Sequence, residues 1–584
     1  EFVPNYLKVS LKGDKNNPEG IGAKIIVDQG SIRQSHYQTK TRGYLSNVSS
    51  EIHFGFGQVS SSVEVNVTWP NGKVQVKNTE LNGTITFDIK GAVDTNLAEN
   101  RLNLTSGNQA SKLGLDHVTP ENDYVDFNYE PLLPHRLSQT GPAIAKGDIN
   151  GDGLDDLFVG GSTGNTSHIF TQKNTGTFDK IILSDSEVYE DTDAVFFDVD
   201  NDGDLDLYVS SGSNEFEALD TRYQDRIYLN NGNGIFALAS EMLPEMHTSS
   251  GTVSTIDYDR DGDLDLFVGG RLTPRKYPMP GKSYILRNDN GKFSDVTNDI
   301  ADDLQDVGMV TTSAWADIDG DNQVDLVLAG EFMPITVYKQ NNGKFINVTS
   351  SLGLSNFTGW WNTLSVSDIN RDGKPDIIAG NLGENTKYKV SEEQPLSVFA
   401  KDYDKNGMID AIMSCFIGDE EHLLHSKSTL EGQVIGFKKR FVKHEPFAKA
   451  TFDDIISPEL REGAYVLKAS TFKHMAFMNS ENGFKAIALP NETQVAPLQA
   501  IQKSGELYFL SGNDYSTEVV VGQYDASNGF ELRYDTQLKE FRTNTETNYR
   551  ASGDVKSSVS ITVGNKEYLV HTVTGKSLYV SEIN

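Results

Sequence analysis

The sequence predicts an all-β chain: a small β domain followed by a seven-bladed β-propeller with calcium-binding turns. Three observations predict it. A nonapeptide of one grammar occurs six times, starting at Asp148, Asp198, Asp257, Asp317, Asp368 and Asp402. Short apolar runs of strand type follow the copies, as in Leu157-Phe-Val-Gly, Leu207-Tyr-Val-Ser, Leu266-Phe-Val-Gly and Leu326-Val-Leu-Ala. The units recur about every 50–60 residues, a period that fits four-stranded blades set around a ring.

Each nonapeptide carries oxygen side chains at positions 1, 3, 5 and 9. The first copy offers Asp148, Asn150, Asp152 and Asp156, and the second Asp198, Asp200, Asp202 and Asp206. The third offers Asp257, Asp259, Asp261 and Asp265, and the fourth Asp317, Asp319, Asp321 and Asp325. The fifth has Asp368, Asn370, Asp372 and Asp376, and the sixth Asp402, Asp404, Asn406 and Asp410. Hard oxygens packed this closely suit Ca²⁺, and five to six ions are expected. Position 6 is a turn former, Gly203 for example, that lets alternate residues point at one centre. In the fourth copy it is Asn322, which tolerates a left-handed backbone. An EF-hand is excluded, because it needs a bidentate Glu at position 12. That position holds Val159, Val209, Val268, Leu328, Ala379 and Met413. Each loop therefore reads as the tip of a β-hairpin.

Residues 1–92 have no such loop and alternate as short strands, among them Tyr6-Leu-Lys-Val-Ser-Leu and Val63-Glu-Val-Asn-Val. Between them stand Gly20-Ile-Gly-Ala, Arg42-Gly-Tyr-Leu-Ser, His53-Phe-Gly-Phe-Gly and Trp69-Pro-Asn-Gly. In this order the segment resembles the ASPIC and UnbV domain, which accompanies calcium propeller repeats in secreted and surface proteins. His53 has no second ligand at metal spacing and reads as structural. Residues 93–135 read as a linker with a strand at Tyr124–Tyr129, and residues 136–584 as the propeller. Beyond each inner hairpin comes a second one around Asn and Gly, as in Arg226-Ile-Tyr-Leu-Asn-Asn-Gly. Such turns need the positive φ that these residues accept. From about Gly141 onward the chain resembles the FG-GAP repeats of integrin α-chain heads, including their metal loops.

Inner hairpins start near Gly141, Asp193, Gly251, Thr311, Asn362, Val495 and Val555, giving seven blades. The Asp402 copy follows Asp368 too soon for a new blade and reads as part of the outer hairpin of blade five. Residues 418–470 break the period with helix-like stretches and read as an insertion. The last blade is one strand short, and Tyr124–Tyr129 is expected to complete it, hiding an open edge.

Composition narrows the function. The chain of 584 residues has 51 basic and 83 acidic side chains, a formal charge of −32. Six calcium ions at two charges each would bring this to about −20. Nucleic acid and anionic membrane need basic patches, so neither is expected as a partner. The single cysteine, Cys415, excludes a disulfide framework and reads as a buried thiol. No apolar run is long enough to span a bilayer. Calcium loops of the weak type work where calcium is abundant, outside the cytoplasm.

In a propeller the 1–2 loops share one face and the 2–3 loops the other. Calcium thus decorates one face, and the opposite face carries longer, aromatic-rich loops. Arg271, Tyr277, Trp360, Trp361 and Tyr515 are the expected partner-binding residues there, being types common in binding hot spots. The alternative for them is packing between blades, with Arg271 paired to a channel acid. No nucleophile elbow, HExxH, phosphate loop or Cys/His pair is present, so a non-catalytic recognition or assembly module for protein or glycan is expected. The competing reading is a glycan-active hydrolase or lyase, whose carboxylates leave no short motif. The architecture resembles surface proteins of Gram-negative bacteria that serve outer-membrane uptake or secretion complexes.

Overall fold

The computed structural model describes residues 4–29, 33–58, 62–93, 107–544 and 547–583, and the chain divides between Thr105 and Ser106 into two compact units. In the first unit, Ile52–Gly57, Asn5–Lys12 and Gly83–Asp88 form one sheet. Arg33–Tyr37, Lys24–Asp28, Val63–Thr68 and Val74–Thr79 form the other. Alternation dictates the packing: Leu7, Val9 and Leu11, like Val63, Val65 and Val67, point to one face and are buried. Trp69 joins this core and donates its indole N–H to Gln75 Oε1 at 3.0 Å. Gly20, at φ +63°, passes so close that a Cβ would meet the Trp69 ring at 2.9 Å. His53 is exposed and stacks on Tyr6 at 5.3 Å between centroids.

The second unit is a seven-bladed propeller. Blade one is Ile144–Gly147, Asp156–Val159, His168–Gln172 and Phe178–Ile182. Blade two is Asp191–Phe197, Asp206–Ser211, Arg226–Asn230 and Phe236–Leu238. Blade three is Ser249–Ile256, Asp265–Leu272, Tyr284–Asp289 and Lys292–Asp295. Blade four is Met309–Ala316, Asp325–Met333, Thr336–Asn341 and Lys344–Asn347, with Gly359–Trp360 added beside its second strand. Blade five is Thr363–Ser367, Asp376–Gly380, Met475–Ser480 and Gly483–Ala488. Blade six is Leu498–Ser504, Leu507–Gly512, Phe530–Asp535 and Glu540–Thr543. Blade seven has three strands, Val555–Val563, Lys566–Val573 and Tyr579–Ile583. The seven innermost strands neighbour one another in a closed ring, blade seven meeting blade one. Second strands such as Asp206–Ser211 and Asp325–Met333 are buried along their whole length. They lie between adjacent blades, which is why they read as continuous apolar runs rather than alternating ones.

Two expectations need correction. Tyr124–Tyr129 is not a strand; it holds the short 3₁₀ turn Asp126–Asn128. Its alternating pattern is broken by Asp126, fully buried, which accepts from the Leu137 N–H at 3.1 Å and the Ser138 hydroxyl at 2.5 Å. The edge of blade seven is covered instead by residues 108–118. Asn108 Oδ1 accepts from the Val580 N–H at 2.9 Å and its Nδ2 donates to the Leu578 carbonyl at 2.7 Å. Leu113 and Leu115 close the cluster that joins Val570 and Val580 to Ile144, Leu157 and Phe170 of blade one.

The Asp402 copy is the second correction. It lies outside blade five, whose outer hairpin is Met475–Ala488. Between the second and third strands of that blade the chain inserts another four-stranded sheet, built of Leu396–Lys401, Asp410–Ile417, Glu420–Leu423 and Tyr465–Ala469. Helices Lys427–Gln433, His444–Lys449, Phe452–Ile455 and Pro458–Arg461 follow within it. The insertion thus includes strands on both sides of the helices. Its side chains Leu396, Val398 and Met413 share a core with Tyr277, Phe332 and Trp360 of the ring. Cys415 is buried there. Among the described residues no helix is long and apolar enough to cross a membrane.

Candidate metal centres

Five of the six acidic loops join the first and second strands of blades one to five, and the sixth joins the first two strands of the inserted sheet. Position 1 shapes each loop. One oxygen of Asp148, Asp198, Asp257, Asp317, Asp368 and Asp402 accepts from the N–H at position 6, at 2.8–3.3 Å. The chain can turn this tightly because positions 4 and 6 are both left-handed: Asn201 at φ 60° and Gly203 at 94° in the second copy. Position 6 was legible from its Gly. Position 4, which holds Arg260, Arg371 and Lys405 in three copies, was not, since neither Arg nor Lys announces a positive φ.

Position 9 is the first residue of the next strand and is fully buried in all six copies. Its Oδ2 accepts from the N–H at position 2, at 2.8–3.2 Å. Its Oδ1 accepts from a backbone N–H at the end of the third strand: Gln172, Asn230, Asn288, Gln340 and Asn479, at 2.7–2.9 Å. In the inserted sheet the Gln433 side-chain amide, from a helix, replaces that donor at 2.8 Å. Position 9 therefore ties inner hairpin to outer hairpin as well as facing the loop centre.

The same third-strand residues reach further. Their side-chain amides donate to the position-2 carbonyl of the preceding blade's loop: Asn230 to Ile149 at 2.7 Å, Asn288 to Val199 at 2.9 Å, Gln340 to Tyr258 at 2.6 Å and Asn479 to Ile318 at 2.8 Å. Gln172 reaches Thr562 of blade seven at 3.0 Å. Sequence reasoning missed these staples, because an Asn or Gln at a strand end carries no local sign of a partner in the next blade.

Positions 1, 3 and 9 converge. In Asp198/Asp200/Asp206, Asp257/Asp259/Asp265, Asp317/Asp319/Asp325 and Asp402/Asp404/Asp410, one oxygen from each lies within 4.8 Å of the others. The first and fifth loops have Asn150 and Asn370 at position 3 in place of a carboxylate. Position 5 leans back on its own turn: one oxygen of Asp202, Asp261 and Asp321 accepts from the N–H at position 7, at 2.8–3.0 Å. In the fourth loop the Lys339 ammonium pairs with Asp319 and Asp321.

A divalent cation fits these residues. Asp200 Oδ1, Asp257 Oδ1 and Asp404 Oδ1 are buried, with no hydrogen-bond partner among the described residues. A buried carboxylate oxygen without a donor is costly unless it is a ligand. With no cation counted, burial pushes the position-9 carboxyls up, to about 6 for Asp156, Asp206, Asp325 and Asp410 and about 7 for Asp265. Burial, then the neighbouring loop acids, also raises Asp200 and Asp259. A bound dication reverses that preference.

Four of the five expected partner residues are not on the surface. Trp361 and Tyr277 are fully buried, and Arg271 and Trp360 nearly so. Trp361 packs edge-on against Phe477 and donates to the Phe357 carbonyl at 3.1 Å. Trp360 lies between Phe472 and His135. Arg271 pairs with buried Glu331, which also receives the Tyr277 hydroxyl and His135. Burial alone would raise the Glu331 carboxyl, but Arg271 and His135 outweigh it and hold it well below the usual range. The physical reason is that an unpaired carboxylate in this core would be prohibitive. Tyr515 is half-buried beneath Lys576.

The class these features define is a β-propeller with acidic, cation-suited hairpin loops on one face. Residues 13–93 match the family described as ASPIC and UnbV, and residues 148–209, 212–268 and 317–379 match the FG-GAP-like repeat. The chain thus joins an ASPIC and UnbV domain to an FG-GAP-like propeller. Similar solved structures include the Dos1 propeller, at 9% identity and TM-score 0.34 over 76% of this chain and 94% of that one. YCF48 bound to D1 peptide matches at 7% identity and TM-score 0.36, covering 80% and 100%. The V. cholerae biofilm matrix protein Bap1 matches at 11% and 0.30, covering 80% and 91%. At these scores the propeller rests on the sheets described above, not on the likeness.

Proposed function

We propose that this chain is a calcium-rigidified, non-catalytic recognition module that works outside the cytoplasm, at a cell surface or within an outer-membrane complex. The observation that carries the reading is that three of the converging Asp triplets each hold a buried carboxylate oxygen with no donor among the described residues. Five to six Ca²⁺ ions would be held by the side chains at positions 1, 3, 5 and 9, with Asn at position 3 in the first and fifth loops and at position 5 in the sixth. The cation supplies charge balance and fixes the loops; the staples then carry that rigidity from blade to blade. The extracellular habit of FG-GAP repeats supports the location.

Recognition falls to the face opposite the calcium loops, through residues other than the buried Arg271, Tyr277, Trp360 and Trp361. Loops between second and third strands there expose Leu219 in blade two and Val519 and Val520 in blade six. Single exposed apolar groups are ordinary on a surface, so the adjacent pair Val519 and Val520 is the feature put to the test. The test is crosslinking in cells followed by isolation of the full chain. A specific partner that disappears with Val519→Asp and Val520→Asp, and with chelator, is expected. Recovery of the same partner from those variants would refute the assigned face.

A further inference from the structure

The insertion in blade five carries a short turn whose charge opposes that of the chain. Residues 435–443 read Ile-Gly-Phe-Lys-Lys-Arg-Phe-Val-Lys, four basic side chains and no acid, in a chain of 51 basic and 83 acidic ones. The 3₁₀ helix Ile435–Lys439 opens the stretch, directly after the helix Lys427–Gln433. The overall charge argues against an anionic surface as partner; here the local charge argues for one.

Spacing divides the apolar residues of this turn. Val434 and Phe437 are buried and Phe441 half-buried, in a core with Leu430, Phe452 and Ile455. Phe441 stands edge-on to Phe447 at 5.5 Å between centroids. Arg440 pins the turn further, its guanidinium donating to the Ile455 carbonyl at 2.7 Å and the Asp454 carbonyl at 2.6 Å. Gln433 ties the preceding helix to Asp410 of the sixth acidic loop. What this anchoring leaves outside stands at helical spacing: Ile435, Lys438, Lys439 and Val442, followed by Lys443. Ile435 is 70% exposed and Val442 83%.

The lysines have no counter-ion. Lys438, Lys439 and Lys443 are exposed and make no ion pair or side-chain hydrogen bond among the described residues. The acids nearest in sequence are engaged elsewhere, Glu431 with Lys427 at 2.6 Å and Glu445 with Lys449 at 2.8 Å. Exposed lysines or single aliphatic groups are ordinary by themselves. On one anchored turn they select an occupant that is anionic and takes up projecting apolar groups without a fitted pocket. An anionic bilayer surface does both, because phosphates meet the lysines while aliphatic tips enter the headgroup–acyl boundary. A second copy is disfavoured by the like charge of two chains at −32 each. Nucleic acid would use the lysines and leave Ile435 and Val442 idle.

We propose that the turn Ile435–Lys443 docks the protein on an anionic phospholipid bilayer. Lys438, Lys439 and Lys443 lie at the phosphates, and Ile435 and Val442 insert between the headgroups. Docking of this kind is weak and screened by salt. It adds a site to the recognition reading and does not depend on it.

Co-sedimentation of the full chain in calcium with vesicles tests it. The vesicles are phosphatidylcholine alone, or phosphatidylcholine with about three-tenths phosphatidylglycerol. Binding to the anionic vesicles is expected in about 0.05 M salt and is lost in about 0.5 M, and the neutral vesicles bind in neither. Lys438→Gln, Lys439→Gln and Lys443→Gln together abolish it, at about fivefold for each lysine. Ile435→Ser with Val442→Ser weakens it about tenfold. Lys292→Gln, Lys344→Gln and Lys485→Gln make the same charge change on the exposed outer strands of blades three, four and five. They alter binding by less than about twofold. Melting curves confirm that every variant folds. Absence of binding to the anionic vesicles overturns the proposal. So does an equal loss in the control triple, which would show overall charge alone at work. Binding that survives the three lysine substitutions overturns it too, since calcium would then be bridging the acidic loops to lipid. If the vesicles fail but those substitutions remove a partner crosslinked in cells, the occupant is a protein and the bilayer assignment is wrong.

Discussion

The Asn230 side-chain amide of blade two donates to the Ile149 carbonyl in the acidic loop of blade one, at 2.7 Å. The same residue donates to Leu205 O at 3.0 Å and accepts from the Gly234 N–H at 3.0 Å. One buried amide thus serves two blades and a turn. Asn230→Leu leaves these groups unmet and lowers stability by about 1–3 kcal/mol. Asn233→Ala, in the exposed part of the same turn, stays within about 0.5 kcal/mol. Denaturant midpoints of the two variants check this, and equal midpoints would contradict it.

Glu331 is the electrostatic keystone of the opposite face. Glu331→Gln strands Arg271 in the core and costs about 3–5 kcal/mol. Glu217→Gln removes the exposed partner of Arg275 and changes stability by less than about 1 kcal/mol. Thermal melts separate the two. A small effect at Glu331 would show that Arg271 finds another partner.

The cover on blade seven is testable by shortening the chain. A chain that begins at Gly141 exposes the edge Tyr579–Ile583 and aggregates or unfolds. One that begins at Gly107 keeps Asn108, Leu113 and Leu115 and behaves like the whole. Size-exclusion chromatography compares them, and equal behaviour would contradict the assignment.

Much of this was readable in the sequence. Asp198, Asp200 and Asp206 converge as their spacing predicts, because a Gly-permitted turn leaves alternate residues little choice. The inserted sheet was not readable, since Leu396–Lys401, Asp402–Asp410 and Asp410–Ile417 repeat the strand–loop–strand grammar of a blade. Only long-range pairing distinguishes them. Trp360 and Trp361 follow a glycine in what reads as a loop, and local sequence does not say whether such rings face solvent or a neighbouring blade. Burial decided it. The cover at Ala110–Leu113 is one helical turn held by Asn108, too short for periodicity to reveal.

Acidity acts differently with and without calcium. A carboxyl with a folded pKa above its unfolded value holds its proton more tightly in the folded state, so stability grows as pH falls. Asp156, Asp206, Asp325 and Asp410, raised to about 6, and Asp265, to about 7, are of this kind when no cation is present. In chelator the propeller melts at a higher temperature at pH 5 than at pH 7. In saturating calcium that trend is abolished or reversed, because protons now compete with the ion. Identical pH trends in both buffers would contradict the assignment of these groups.

The central claim is that the acidic loops hold calcium, and counting the ions tests it most directly. Equilibrium dialysis of the full chain with calcium, read by elemental analysis, should give about five to six ions per chain. Asp200→Ala and Asp259→Ala should each remove one ion while leaving the rest bound. At most one ion per chain, or a count that neither substitution changes, would contradict the account.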